Sequence, residues 1–151
     1  MEKCSFDELK QFWSELEGGH MPTYGSTCEN VCRVCHIGEC PDADKFLVNM
    51  IRITTPFWKK STYYTHEDGG DVKAGMVKGN VSYVNYPPDG KMAIRLRYPI
   101  FKSASVYLRE VYPGFYFGLT STEENFEPAG FFTNDFNSNE SQQKDNEVES
   151  D

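Results

Sequence analysis

The amino-acid sequence predicts an α+β fold, in which an N-terminal helix and a zinc knuckle precede a mostly antiparallel β-sheet or a small β-sandwich. Three observations lead to this prediction: a helical apolar period near the N-terminus, a tight cluster of cysteines, and a series of short alternating segments joined by turn residues. The 151 residues give room for one domain, residues 1–133, which an acidic tail follows.

The N-terminal segment predicts an amphipathic helix over residues 6–17. Ser5 followed by Glu8 matches a capping box, and Gly18-Gly19 ends the segment. We expect the apolar stripe to dock on the domain core, with an exposed partner-binding face as the alternative. The stripe consists of Phe6, Leu9, Phe12, Trp13 and Leu16.

Residues 18–44 hold a cysteine cluster whose spacing is typical of a metal site. Zinc prefers four sulfur or nitrogen ligands at tetrahedral corners, and the Cys-x2-Cys pair Cys32 and Cys35 supplies two of them from one turn. We therefore predict a structural Zn²⁺ ion in this segment. The predicted ligands are Cys28, Cys32, Cys35 and Cys40, with His20, His36 and Cys4 as alternates.

Two other interpretations of the cluster stay open. Reduced cysteines are often simply small buried apolar residues that bind no metal. A Cys-x2-Cys pair can also exchange electrons when one thiol has a lowered pKa, so Cys32 and Cys35 could form a thiol–disulfide oxidoreductase site.

The segment after the cysteines is ambiguous between helix and strand. Asp42 and Asp44 can cap a short helix through Phe46 and Met50, but β-branched residues make a strand almost as consistent. Pro56 ends either element.

Residues 58–133 predict antiparallel strands. The turn at residues 87–90 separates residues 81–86 from residues 91–98, and short turns between consecutive strands leave no room for parallel crossovers. In residues 91–98, apolar side chains alternate with Lys91, Arg95 and Arg97, so one face is expected to be the core and the other cationic. Two further hairpins are expected, from segments 62–65 and 72–77 and from segments 105–112 and 115–120.

Charge is distributed unevenly along the chain, whose net charge is −8. Residues 45–109 carry four acidic and eleven basic side chains, and acidic segments flank them. Cations interleaved with aromatic rings on a sheet can hold phosphates and stack bases. The candidate binding face consists of Lys91, Arg95, Arg97, Tyr98, Tyr107 and Arg109.

The two ends of the chain suggest a location. No run approaches the roughly 18 apolar residues that span a bilayer, and residues 1–5 lead directly into a polar segment without a signal sequence. We expect a cytoplasmic or nuclear protein that is not secreted. Residues 134–151 are polar and acidic, and we expect them to be disordered.

These patterns predict a zinc-binding, non-enzymatic protein-interaction module, an adaptor or inhibitor that acts by contact with a partner protein. Nucleophile-elbow, Walker and His-Glu-x-x-His motifs are absent from the sequence. Aromatic and arginine side chains suit interface anchors. A nucleic-acid-binding protein is the first alternative and the thiol–disulfide oxidoreductase the second. Nucleic acid and a second copy of the chain are possible partners, and a membrane is not expected to be one.

Overall fold

The computed structural model describes residues 3–36, 38–101 and 103–137. Within these ranges the chain forms a closed antiparallel barrel of eight strands, accompanied by two α-helices and a 3-10 turn at Thr55–Phe57. In chain order the elements are α1 (Phe6–Glu15), β1 (Ser26–Val34), α2 (Lys45–Thr54), β2 (Lys60–His66), β3 (Gly69–Ala74), β4 (Val77–Asn85), β5 (Met92–Arg97), β6 (Ala104–Tyr112), β7 (Phe115–Thr122) and β8 (Gly130–Asp135).

Each strand of the barrel pairs with the next strand along the chain, and β8 returns to pair with β1. Asn30 lies opposite Asn134 and Cys32 opposite Phe132 in this closing pair. The predicted α+β fold with an open sheet or sandwich is therefore wrong. The error arose because β1 lies inside the segment that was interpreted as a zinc knuckle, so the strand that closes the sheet was missed.

The barrel interior contains one apolar cluster built by strand alternation. Ile94 and Leu96 of β5 point inward, as their spacing predicts, whereas the alternating Arg95 and Arg97 point outward. Tyr63 and Leu108 are fully buried in the same cluster. The inward residues from all eight strands thus meet along the barrel axis.

Helix α1 packs against the outside of the barrel, as its apolar stripe predicts. The capping box is present, because Ser5 accepts a hydrogen bond from the Glu8 amide and the Glu8 carboxylate accepts one from the Ser5 amide. Phe6 contacts Phe131 of β8 edge to face, with ring centroids 5.2 Å apart. Trp13 is buried against Tyr86, which follows β4, at 5.3 Å.

Helix α2 lies at one end of the barrel, so the helical interpretation of this segment is confirmed. Asp44 caps it by accepting a hydrogen bond from the Leu47 amide at 2.9 Å. Leu47 is buried, and Pro56 lies in the 3-10 turn that follows the helix. The helix is thereby fixed between β1 and β2.

The N-terminal connection crosses the opposite end of the barrel. The Gly18 amide donates to the Met92 carbonyl at 2.8 Å, and the Glu110 amide donates to the Gly18 carbonyl at 2.9 Å. Tyr83 donates its hydroxyl hydrogen to the Gly19 carbonyl. Gly19 has φ +116°, and a Cβ atom there would collide with the Cβ atom of Glu110, so this close approach requires glycine.

Part of the predicted acidic tail belongs to the barrel. Strand β8 extends to Asp135, and Phe136 packs between Tyr63 and Tyr116, with ring centroids 5.5 and 5.7 Å away. The rest of that tail, residues 138–151, lies outside the described residues. Among the described helices, none combines the length and apolar character needed to cross a membrane.

Candidate ligand-binding cavity

A cavity of about 540 Å³ lies inside the barrel, beneath α2. Inward positions of the strands form its wall, and α2 forms its roof through Leu47 and Ile51. The lining is mainly apolar, and an apolar interior of this size is within the range of small-molecule sites. Leu96, Tyr98, Phe101, Val106 and Phe132 contribute to the wall.

Trp58 stands at the edge of the cavity, directly after the 3-10 turn. Its ring is 5.4 Å from that of Tyr98 and 5.8 Å from that of Phe101. Its carbonyl accepts a hydrogen bond from Asn30 Nδ2 at 2.7 Å, which ties the turn to the first strand. The aromatic edge of the cavity is therefore held in place by the barrel itself.

The polar groups of the cavity differ in how well they are satisfied. Asn30 is well partnered, because its Nδ2 donates to Ser61 Oγ at 2.8 Å in addition to the Trp58 carbonyl. Its Oδ1 accepts from the Cys28 thiol at 3.2 Å. Asn30 therefore has little capacity left for a ligand.

Asn134 is the exception among the polar groups. Its side chain is only 2% exposed, and its Nδ2 donates to the Tyr63 hydroxyl at 2.7 Å. Its Oδ1 is buried and has no hydrogen-bond partner among the described residues. Burial raises the pKa of Tyr63 well above its ordinary value, so the hydroxyl stays neutral. An unpaired buried acceptor thus lines an apolar cavity.

Of the two thiols of β1, Cys28 is buried and Cys32 is half-buried. Burial raises the pKa of Cys32 to about 11, although a hydrogen bond from Thr55 lowers it slightly. Burial likewise raises the pKa of Cys28 to about 12. Both side chains are therefore neutral thiols at neutral pH, and a neutral thiol is a poor nucleophile.

The predicted zinc knuckle is wrong as an element of the fold, because the fold does not bring its four cysteines together; binding of Zn²⁺ elsewhere in the chain stays a prediction. Cys28 and Cys32 share the inner face of β1 but are four residues apart, which is about 13 Å along a strand. Cys35 is buried in the cluster beneath α1 and forms a disulfide with Cys40, with Cα atoms 6.3 Å apart. In residues 3–36, 38–101 and 103–137, no group of three or more His, Cys, Asp or Glu side chains is placed to hold a metal ion.

The alternate ligands also lie apart from one another. His20 lies on the N-terminal connection, where its Nδ1 is 3.1 Å from Glu110. His36 is exposed directly after β1, and Cys4 lies just before α1. For the thiol-exchange alternative, the disulfide gives Cys35 a different partner from the predicted Cys32.

The predicted binding face is divided among three environments. Arg95 and Arg97 lie on the outer side of β5, and both approach Glu123. Tyr98 is buried in the barrel interior, and Tyr107 and Arg109 are buried beneath α1. The nucleic-acid alternative stays a prediction. Lys91, the remaining member, donates to the Ser14 carbonyl at 2.7 Å.

The residues that define the cavity were missed by sequence reasoning. Asn134 was assigned to the tail, although it lies in a short polar and aromatic segment that could have been recognised as a strand. Tyr63 was placed on a strand but without a role. The hydrogen bond between their side chains connects β2 to β8 across the barrel interior. These two strands face the same interior only because the barrel is closed.

Comparison of this chain with protein-family models, with curated proteins and with solved structures finds no match. The cavity is therefore interpreted from its own residues. Its lining combines a largely apolar wall with the unpaired Asn134 acceptor and the Cys32 thiol.

Proposed function

We propose that this chain binds a small, mainly apolar molecule inside its barrel. The observation that supports the proposal is the cavity of about 540 Å³ with its apolar wall. Eight-stranded barrels are just wide enough either to be filled by their own side chains or to hold one small ligand. This barrel leaves space between Leu96, Val106 and α2, which supports the second possibility.

The ligand is expected to carry one hydrogen-bond donor on an otherwise apolar body. Each Å² of apolar surface removed from water stabilises the complex by about 25 cal/mol, which is the main contribution. A hydroxyl or amide hydrogen placed at Asn134 Oδ1 satisfies the acceptor that the protein leaves unpaired. A ligand without this donor leaves the acceptor buried and unpaired, at a cost of about 1–3 kcal/mol.

Two matched ligands test the proposal: a long-chain primary alcohol and the methyl ether of the same alcohol. The alcohol is expected to bind about tenfold more tightly to the natural protein, because only it can donate to Asn134. Asn134→Leu should remove that preference while retaining binding of the ether. Isothermal titration calorimetry measures both affinities.

Two variants that introduce the same phenyl ring at different places provide the control. Val106→Phe fills the cavity from the inner face of β6, whereas Asn80→Phe adds the same ring to the exposed outer face of β4. We expect Val106→Phe to abolish binding of both ligands and Asn80→Phe to leave it unchanged. Binding that survives Val106→Phe at full strength would show that the ligand sits elsewhere.

The interaction with a partner protein that the sequence suggests stays a prediction. It is compatible with a ligand in the barrel, because the outer surface and the interior use different residues.

A further inference from the structure

Helix α2 carries apolar side chains on two neighbouring faces. Leu47 and Ile51 face the cavity. Phe46, Ile53 and the nearby Phe57 are 74%, 68% and 71% exposed. Lys45, Asn49 and Arg52 occupy the side of α2 away from the cavity. Phe46 and Ile53 form an apolar strip beside that polar side, and no described residue buries them.

The exposed apolar surface continues from α2 onto the barrel rim. Met76, in the turn between β3 and β4, is 96% exposed. The adjoining Gly75 approaches the Phe57 carbonyl so closely that a Cβ atom on it would be 2.9 Å away. Met76, Phe46, Phe57 and Ile53 are the four most exposed large apolar side chains in the described part of the chain, and all lie at this end.

Positive charge surrounds this apolar surface. Residues 45–66 contain four Lys or Arg side chains and no Asp or Glu, in a chain whose net charge is −8. Lys45, Lys59 and Lys60 are exposed. Arg52 is also exposed and donates to the Cys35 carbonyl at 2.7 Å. The cations and the apolar residues thus alternate along one continuous segment.

Glu29 of β1 lies opposite Lys60 of β2, and the other acidic residues at this end lie elsewhere on the rim. Asp44 is occupied in capping α2. Glu39 and Asp42 lie in the connection from β1 to α2, and Glu123 and Glu124 in the connection from β7 to β8. The part of the rim formed by α2, β2, β3 and β4 therefore presents apolar and cationic side chains together.

We propose that this part of the rim docks on an anionic lipid surface. Phe46, Ile53 and Phe57 enter the boundary between headgroups and acyl chains, and the lysines bind the negative surface. The absence of a membrane-spanning segment led the sequence to exclude a membrane partner, but peripheral docking needs no such segment. If the barrel binds an apolar ligand, as proposed above, docking places α2, the roof of the cavity, at the lipid surface.

Vesicle sedimentation with the full chain tests this docking. We expect the protein to bind vesicles of phosphatidylcholine and phosphatidylserine at low salt, to bind pure phosphatidylcholine weakly, and to dissociate as salt rises. The triple substitution Phe46→Ser, Ile53→Ser and Phe57→Ser should lower the partition coefficient by about tenfold or more. These side chains are exposed, so the variant retains its fold, which circular dichroism checks.

Tyr24→Ser is the matched control, because Tyr24 is a 61% exposed aromatic residue before β1, at the other end of the barrel. It should bind anionic vesicles as the natural protein does. Equal binding by the triple variant, or no binding to anionic vesicles at low salt, overturns the proposal. A lipid-free dimer that the triple variant abolishes also overturns it, because a second copy then covers the surface. Ligand titration without vesicles tests the cavity separately.

Discussion

The two helices are equally long, with ten residues each, and a side chain caps each N-terminus, yet they contact the barrel in opposite ways. Helix α1 buries Phe6, Leu9 and Trp13 against the outer wall. Helix α2 fully buries only Leu47, packs Val48 partly against neighbouring clusters, and otherwise faces the cavity or solvent. The difference shows that the outer wall of the barrel is its closely packed region, whereas the interior beneath α2 is left partly empty.

Arg109 shows how closely the α1 side is packed. Its guanidinium is fully buried and lies 4.1 Å from the centre of the Trp13 ring. It donates to both carboxylate oxygens of Asp89 at 2.9 and 3.0 Å and to the Trp13 carbonyl at 3.0 Å. A buried charge with this many partners stabilises one specific arrangement of α1 and the wall.

The largest expected effect is on the free energy of unfolding, and it differs between the two tryptophans. Trp13→Ala should lower the free energy of unfolding by about 3–5 kcal/mol, because it leaves a void in a closely packed cluster. Trp58→Ala should cost about 1–2 kcal/mol, because one side of that ring already faces a cavity. Urea unfolding followed by circular dichroism measures both values. Equal losses in the two variants would contradict the contrast between the regions.

The second prediction concerns the charge pair beneath α1. Burial by itself raises the pKa of Asp89, but the hydrogen bonds and charge of Arg109, with help from Lys91, lower it more, so the pKa lies below its ordinary value. The stabilisation by this carboxylate is therefore complete above about pH 4 and is lost as pH falls through the lowered pKa. Asp89→Asn should cost about 2 kcal/mol at neutral pH and progressively less in acid.

Urea unfolding at neutral pH and near pH 2 measures this dependence. Asp68→Asn, which changes an exposed carboxylate in the turn between β2 and β3, is the control and should alter stability by less than about 0.5 kcal/mol at either pH. An Asp89→Asn deficit that is the same at both pH values would show that the pair contributes through packing rather than charge.

The third prediction concerns the reactivity of a thiol and not stability. It tests whether water reaches the cavity. Cys32 should react with iodoacetamide near pH 8 at least about a hundredfold more slowly in the folded chain than in urea, because burial keeps it protonated. Peptide mass spectrometry measures the rate. Cys4, which precedes α1 and lies outside the barrel, is the internal control and should react first. Fast labelling of Cys32 would mean that the cavity is open to water.

Local elements were predictable from the sequence where a period and a cap coincide. The capping box at Ser5 and Glu8 located α1, and the alternation around Ile94 and Leu96 located β5 and its inner face. These features depend on residues within a few positions of one another, so a single sequence contains the signal.

Closure of the barrel and the cavity could not be predicted in the same way. The pairing of Cys32 with Phe132 joins residues a hundred positions apart, and no local pattern specifies it. The cysteines misled the prediction because strand spacing and ligand spacing coincide at Cys28 and Cys32. The empty space beneath α2 depends on how side chains from all strands fit together. The apolar period of a single strand carries no information on that packing.

Closure between the first and last strands also governs when the protein can fold. Strand β1 has only one of its two partners until β8, which ends at Asp135, has been synthesised. Until then both ends of the sheet are unpaired edges that can associate with other chains. Contacts of such long sequence separation form slowly. The newly made chain therefore depends on its final strand for protection from aggregation.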